Sequence, residues 1–211
     1  DYFSDHVYHA QMEPLNAIVS VNHAGDGAEI WAGTQSPSGA IKAVAKLLGT
    51  SPRKIKLHPC FLGGGFGRRS MSDYILEAAE LSKIVRKPVK LIWSREDDFQ
   101  YGAFRPMCLQ RLVAGLDADG KLIAWKHSIV GDGRRLLSSG AKIPFYDIPN
   151  QHIEILGLSH GVRLKHWRAV GHGITKFAIE SFIDEIAVAE GLDSYQFHRQ
   201  VMQNSPRALK V

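Results

Sequence analysis

The chain has 211 residues, a length that suits one large domain or two small ones. Its 45% hydrophobic and 22% charged residues are typical of soluble globular proteins, and no apolar run approaches the roughly 20 residues that span a bilayer. The net charge of +5 is mild, and its longest basic clusters are pairs, which disfavours a nucleic-acid binder. The balance suits an anionic small ligand or ordinary surface charge equally well.

The first third of the chain predicts a β-hairpin and then a helix. The segment NAIVSVNH at 16–23 alternates apolar and polar residues, and AEIWA at 28–32 continues as a second strand after a Gly-Asp-Gly turn. Ser36 is a predicted N-cap and Pro37 a predicted first helical residue, so a helix is expected to run to about Leu48.

A strand, a glycine-rich loop, a helix and a second strand come next. They are predicted at 54–58, 63–69, 73–85 and 88–93. If the two strands lie parallel in one sheet, the connection between them must cross over right-handed. The loop GGGFGRR has four glycines in five positions, an entropic cost typical of backbone that approaches a ligand closely. A tight turn without a ligand is the alternative.

The second half of the chain predicts another hairpin, two short strands and two helices. The predicted ranges are 108–116 and 122–130 for the hairpin, 153–158 and 162–167 for the strands, and 175–190 and 194–203 for the helices. Together the elements predict an α+β fold, a mixed α/β arrangement of layered sheet and helices with hairpins and one strand–Gly loop–helix–strand unit.

Several kinds of site are disfavoured by the residues present. The glycine run does not match the dinucleotide-binding pattern G-x-G-x-x-G, because Arg68 stands at the sixth position. His9 and Glu13 are spaced H-x-x-x-E, but no third ligand is evident, so no metal-binding residue is predicted. Cys60 and Cys108 are far apart and are expected to be buried, reduced thiols that cannot hold an iron–sulfur cluster.

Five ordered segments resemble the xanthine dehydrogenase and aldehyde oxidase superfamily of molybdenum hydroxylases. The segments are HAQMEP at 9–14, WAGTQSP at 31–37, LGGGFGRR at 62–69, WSREDD at 93–98, and HWRAVGH at 166–172 with FAIESFIDEIA at 177–187. They look most like the molybdopterin-binding large subunit of the isoquinoline 1-oxidoreductase and bacterial aldehyde dehydrogenase branch. The resemblance implies a cofactor-binding domain over 1–205 that forms the first half of the cofactor cradle, with a following segment starting at 206–211.

The resemblance also implies roles for individual residues. Gln35 would donate a hydrogen bond to an oxo group on molybdenum, Phe66 would lie beside metal and substrate, and Arg168 would orient substrate or stabilise developing negative charge. Cofactor contacts are implied for Gln35, Phe66 and Arg168 and for the neighbours Gly64, Gly65, Gly67 and Arg68. Members that oxidise purines carry Gly-Lys-Glu after GGGFG. Here the corresponding residues are Arg-Arg-Ser, which argues against a purine substrate.

The implied activity is molybdenum-dependent hydroxylation of an aldehyde or N-heterocycle with oxygen from water. The cofactor would be molybdopterin in its cytosine dinucleotide form. The implied partners are a small-molecule substrate, a small subunit with [2Fe–2S] clusters, and the remainder of the large subunit, with neither a nucleic acid nor a transmembrane segment. The family's catalytic glutamate belongs to a more C-terminal motif, so the chain is expected to be an excised, inactive piece.

Two other functions remain open from the sequence. One is a non-catalytic module that binds an anionic dinucleotide or nucleic acid through the glycine loop, Arg68 and Arg69. The other is a structural domain at a subunit interface. Neither the substrate, the electron acceptor, the oligomeric state nor the compartment, cytoplasmic or periplasmic, follows from these residues.

Overall fold

The computed structural model describes residues 1–210. Its strands are β1 (Tyr2–Ser4), β2 (Val7–Tyr8), β3 (Asn16–Val21), β4 (Ala28–Ala32), β5 (Ile55–Pro59), β6 (Val89–Ile92), β7 (Phe104–Arg105), β8 (Cys108–Leu116), β9 (Leu122–Asp132) and β10 (Asn150–Leu158). Its α-helices are α1 (Pro37–Leu48), α2 (Asp73–Val85), α3 (Arg95–Tyr101), α4 (Arg134–Leu137), α5 (His172–Ala189) and α6 (Ser194–Val201). The mixed α and β class predicted from the sequence is confirmed.

The chain divides into two compact units. The first unit contains residues 8–104, and the second contains residues 1–7 together with 105–210. No helix among residues 1–210 is both long and apolar enough to cross a bilayer. The predicted boundary of the cofactor-binding domain near residue 205 stays a prediction.

The first unit is a four-stranded sheet with helices α1 and α2 packed on it. The strand order is β5-β4-β3-β6. Alternate residues of β3 (Ala17, Val19 and Val21) are buried against apolar residues of both helices, as the alternating pattern requires. β4 runs parallel to β5, and β3 is antiparallel to both β4 and β6, so β5 and β6 are parallel at opposite edges of one sheet. The predicted strand–loop–helix–strand unit thus connects the two edges of this sheet.

Helix α1 has the predicted limits. Pro37 occupies its first turn, and Gly49 ends it with φ of +66°, a left-handed conformation that glycine adopts without strain. Ser36 stands at the N-cap position, but its hydroxyl makes no capping hydrogen bond.

The second unit is a four-stranded sheet with strand order β1-β8-β9-β10, against which α5 and α6 pack. The β8–β9 hairpin confirms the prediction from its Asp-Ala-Asp-Gly turn. Trp125 of β9 is fully buried, and its ring lies 5.4 Å from that of Phe182 on α5. Ile179, Ile183 and Phe197 complete a core of the kind that an amphipathic helix forms against a sheet.

Three predictions need correction. The strand predicted at 162–167 is absent, because a chain that alternates in polarity forms a strand only when a neighbour pairs with it, and this exposed to half-buried stretch has one isolated bridge. Helix α3 was not predicted: Ser94 caps it and Asp97 returns a hydrogen bond to the Ser94 N–H, a capping box. Cys60 is exposed rather than buried, whereas Cys108 is buried, and both are free thiols.

Candidate functional site

The glycine-rich loop has a left-handed backbone at three of its residues. Gly64 and Gly67 have φ of +100° and +109°, values that side-chain-bearing residues rarely adopt. Phe66 between them has φ of +49°, an unusual value for a bulky residue that costs on the order of 1–3 kcal/mol. Such strain persists where surrounding contacts hold the backbone in place, and it is concentrated at functional sites.

The loop presents three consecutive backbone N–H groups without a protein acceptor. The N–H of Gly63 donates to Glu13 Oε2 at 2.9 Å, and the N–H of Gly67 donates to Gln35 Oε1 at 2.9 Å. The N–H groups of Gly64, Gly65 and Phe66 make no hydrogen bond within residues 1–210. Successive amides of this kind form a concave site for an anion.

Gln35 is held so that its amide nitrogen is available as a donor. Its backbone N–H donates to the Arg69 carbonyl at 2.9 Å, and its Oε1 accepts from the Gly67 N–H. A Cβ atom at Gly65 would lie 2.6 Å from this Oε1, which is why only glycine fits there. Because Oε1 is engaged, the exposed side chain of Gln35 directs Nε2 away from the loop, and Nε2 has no acceptor among the residues described.

The Phe66 side chain lies beside the loop rather than in a core. It is 40% exposed, and a Cβ atom at Gly64 would stand 3.1 Å from its ring. The structure therefore brings Gln35, Phe66 and the three free N–H groups together in the first unit, through residues predicted from the sequence.

Arg68 is buried in an internal ion pair. Its guanidinium is fully buried and bonds both carboxylate oxygens of Asp73, at 2.7 and 3.0 Å. Burial would lower the pKa of Arg68, but the hydrogen bonds and charge of Asp73 raise it above its ordinary value. The guanidinium has no free face for a phosphate, so a contribution of Arg68 to cofactor binding stays a prediction and would act through the helix start that it braces.

Arg69 is also fully buried, and it bonds the segments around the loop. Its side chain donates to Gly64 O at 2.9 Å, Glu13 O at 2.9 Å and Glu13 Oε2 at 2.8 Å. Burial alone would raise the pKa of Glu13, but hydrogen bonds from Asn16 and Gly63 and the charge of Arg69 lower it. Glu13 therefore acts as the counter-ion of Arg69 beneath the loop.

A buried polar network supports the segment that contains Glu13. Asp98 is fully buried and accepts hydrogen bonds from the Tyr8 hydroxyl, from Gln11 Nε2 at 2.8 Å and from Arg95 Nη1 at 2.9 Å. Arg95 Nη2 also donates to Gln11 O at 2.6 Å. The motifs HAQMEP and WSREDD contain these residues, but their pairing was not predicted, because the two motifs are more than 80 residues apart.

Arg168 lies in the second unit, on a strained turn. The next two residues, Ala169 and Val170, have φ of +74° and +52°. The Arg168 side chain is exposed, and no ion pair of it is found within residues 1–210. Trp167 before it is covered by the Arg105 guanidinium, 5.5 Å from the ring centroid. An exposed cation on a left-handed turn is available to a ligand, and its predicted role stays a prediction.

No group of three or more His, Cys, Asp or Glu side chains in the described part of the chain is placed to hold a metal ion. His9 and Glu13 do not lie on a helix, so they do not share a helical face. A metal at the glycine loop would therefore be held by a ligand other than these side chains.

Residues 1–202 match the family model of the molybdopterin cofactor-binding domain. The chain is 35% identical over 225 residues to the isoquinoline 1-oxidoreductase beta chain of Brevundimonas diminuta, covering 99% of this chain and 29% of the relative. It is 32% identical over 232 residues to the membrane-bound aldehyde dehydrogenase [pyrroloquinoline-quinone] of Gluconacetobacter polyoxogenes, covering 98% of this chain and 29% of the relative.

Among solved structures, quinoline 2-oxidoreductase from Pseudomonas putida 86 superposes with a TM-score of 0.87 at 21% identity, over 95% of this chain and 27% of that one. This likeness shows that the fold is shared. The chain spans less than a third of the length of these relatives. The match over residues 1–202 shows that this chain belongs to the molybdopterin cofactor-binding domain family.

Proposed function

We propose that this chain is the molybdopterin-binding part of an oxidoreductase that hydroxylates aldehydes or N-heterocycles with oxygen from water. The observation that carries the proposal is the cluster of unused donors in the first unit, Gln35 Nε2 and the N–H groups of residues 64–66. Neutral donors of this kind hold anionic oxygens without competing for the metal.

The residues of the loop fit such a cofactor. The glycines leave the backbone N–H groups uncovered, and any side chain at position 65 would displace the Gln35 amide. Gln35, Gly64, Gly65, Phe66 and Gly67 would hold the group, and Phe66 would bound the space for a planar substrate. When bound, the cofactor supplies two-electron redox chemistry and Lewis acidity.

Further details of the proposal concern the cofactor form and the partners. We propose the cytosine dinucleotide form of molybdopterin, and an electron-transfer subunit with [2Fe–2S] clusters, since neither free cysteine here could supply a cluster. The names of the isoquinoline 1-oxidoreductase relative and of a nicotinate dehydrogenase relative each designate one subunit of several, which supports an assembly of more than one chain. The compartment stays open.

The module that binds a dinucleotide or nucleic acid through Arg68 and Arg69 is less well supported. Such binding needs guanidinium groups that face solvent, and both groups are fully buried in ion pairs with Asp73 and Glu13. A second cofactor has support from the name of one relative, which specifies pyrroloquinoline quinone.

The test is the cofactor content of the purified whole protein. We expect about one molybdenum per copy by elemental analysis, release of a pterin cytosine dinucleotide on denaturation, and incorporation of ¹⁸O from labelled water into the product. A protein that contained pyrroloquinoline quinone and no molybdenum would contradict the proposal.

Substitution of Arg168 is expected to affect turnover more than binding. Arg168→Lys keeps the charge but loses the planar donor pair, so kcat should fall about 10–100-fold with KM changed far less, from the loss of one charged hydrogen bond of about 1.5–3 kcal/mol. The matched control is Arg111→Lys, an exposed arginine that bonds Asp1 in the same unit, which should keep the wild-type kcat. Equal kcat for Arg168→Lys and wild type would remove Arg168 from the substrate site.

The purified 211-residue chain is expected to turn over neither aldehydes nor heterocycles. It spans less than a third of its relatives' length and contains no carboxylate beside the donor cluster, within residues 1–210, other than Glu13, which is paired with Arg69. Steady-state assays with an artificial electron acceptor, before and after adding molybdopterin and molybdate, check this. Turnover above the buffer rate would show that the catalytic base is within these residues.

A further inference from the structure

Arg69 bonds three chain segments that are distant in sequence. Besides Gly64 and Glu13, its Nη1 reaches Gly33 O at 3.3 Å and its Nη2 reaches Pro14 O at 3.1 Å. The Gly33 carbonyl also accepts from the Tyr74 hydroxyl at 2.8 Å. One guanidinium thereby joins the glycine loop, the end of β4 and the turn after the HAQMEP motif.

The backbone of Arg69 acts on the same place. Its carbonyl accepts from the Gln35 N–H at 2.9 Å and from the Thr34 hydroxyl at 3.0 Å. Its side chain holds the loop that contains Gly65 and Gly67, whose N–H fixes the Gln35 amide. Every contact that orients Gln35 therefore depends on where Arg69 lies.

We propose that Arg69 is a positioning residue: its buried guanidinium sets the spacing between the glycine loop and residues 33–35, and so the direction of the Gln35 amide and the loop N–H groups. It does not itself touch a ligand, because its side chain is fully buried. Only its effect on turnover rests on the function proposed above; its effect on the loop does not.

Lysine cannot replace this function. A guanidinium has five N–H donors in a planar fork, and Arg69 directs them to acceptors on different sides. The ammonium of lysine is a single point, which could reach Glu13 but not the Gly64 and Gly33 carbonyls together. Loss of those bonds frees the loop while the charge balance with Glu13 is kept.

The test is hydrogen exchange at single-amide resolution in the whole protein, for wild type and Arg69→Lys. We expect the N–H groups of Gln35 and Gly67 to exchange at least about tenfold faster in the variant. Turnover per bound molybdenum should fall about 10–100-fold with KM changed little, since a misdirected donor loses transition-state contacts first. Exchange at the wild-type rate at both amides would overturn the proposal.

Arg68→Lys is the matched control, because it removes an equally buried guanidinium that bonds Asp73 on α2 instead of the loop. It should lower the thermal midpoint while the Gln35 amide exchanges at the wild-type rate. If both variants accelerate exchange at Gln35 equally, general packing holds the loop, and the proposal fails.

Glu13→Gln keeps the proposal testable if Arg69→Lys does not fold. It weakens one charged bond to Arg69 and leaves the carbonyl acceptors in place, so exchange at Gly67 should rise about threefold or more. Unchanged exchange in Glu13→Gln, with Arg69→Lys unfolded, would overturn the proposal. Hydrogen exchange needs no cofactor, so a wild-type protein without molybdenum would refute the proposed function while exchange still decides the role of Arg69.

Discussion

Replacement of Gln35 by Ala in the whole protein is expected to lower turnover per bound molybdenum about 10²–10³-fold, the usual cost of losing one positioned donor where charge develops. The cofactor should largely remain bound, because the loop N–H groups of residues 64–66 are unaffected. Turnover in initial-rate assays, divided by the molybdenum content of the same sample, measures the effect.

Gln35→Glu separates the donor from the loop contact. Glutamate keeps an oxygen that can accept from the Gly67 N–H, so the loop stays anchored, but it replaces the Nε2 donor with a negative oxygen. We expect a loss of turnover at least as large as in Gln35→Ala. Wild-type turnover in either variant at full molybdenum content would show that Gln35 has no catalytic contact.

The second large effect concerns the pH dependence of stability in the second unit. Burial, with a smaller contribution from the charge of Lys176, lowers the pKa of His127 to about 4. The side chain is fully buried, and its Nε2 lies 3.1 Å from Gln110 Oε1. Since Gln110 Nε2 donates to the Ile174 carbonyl, Gln110 presents its oxygen to His127, which is therefore held as the neutral donor.

This lowered pKa sets the direction of the effect. The unfolded chain takes up the proton near pH 6.5 and the folded chain only near pH 4, so His127 contributes no penalty above pH 6.5. As the pH falls from 6.5 to 4, stability declines by about 3 kcal/mol, at roughly 1.36 kcal/mol per pKa unit. His127→Gln keeps a donor toward Gln110 but cannot titrate, so it should lose this decline.

Urea unfolding of wild type and His127→Gln at about pH 7.5 and about pH 4.5 measures the difference. The value at the higher pH is the internal control, since His127 is neutral in both states there and the variant reports only the change in packing. An equal loss of stability on acidification in both proteins would show that another group causes it.

Most elements of the fold could be predicted from the sequence, because each rests on contacts close in the chain. The β3–β4 and β8–β9 hairpins follow from alternation around turn residues, and helix α1 follows from Pro37 and Gly49. The wrong strand at 162–167 and the missed helix α3 mark the limit of such patterns. A strand depends on a partner elsewhere in the sheet, and a seven-residue helix has too few turns to show a period.

The candidate site is divided in the same way. The residues GGGFG and Gln35 could be identified from the sequence, and glycine at positions 64, 65 and 67 follows from backbone conformation and close approach. The roles of Arg68 and Arg69 could not, because a pair of arginines after a loop looks the same whether it faces an anion or the interior. Only the tertiary structure brings Gly33 and Glu13, 36 and 56 residues away, to the Arg69 guanidinium. Burial there makes the charge an internal brace, since a desolvated cation must take its partners from the protein around it.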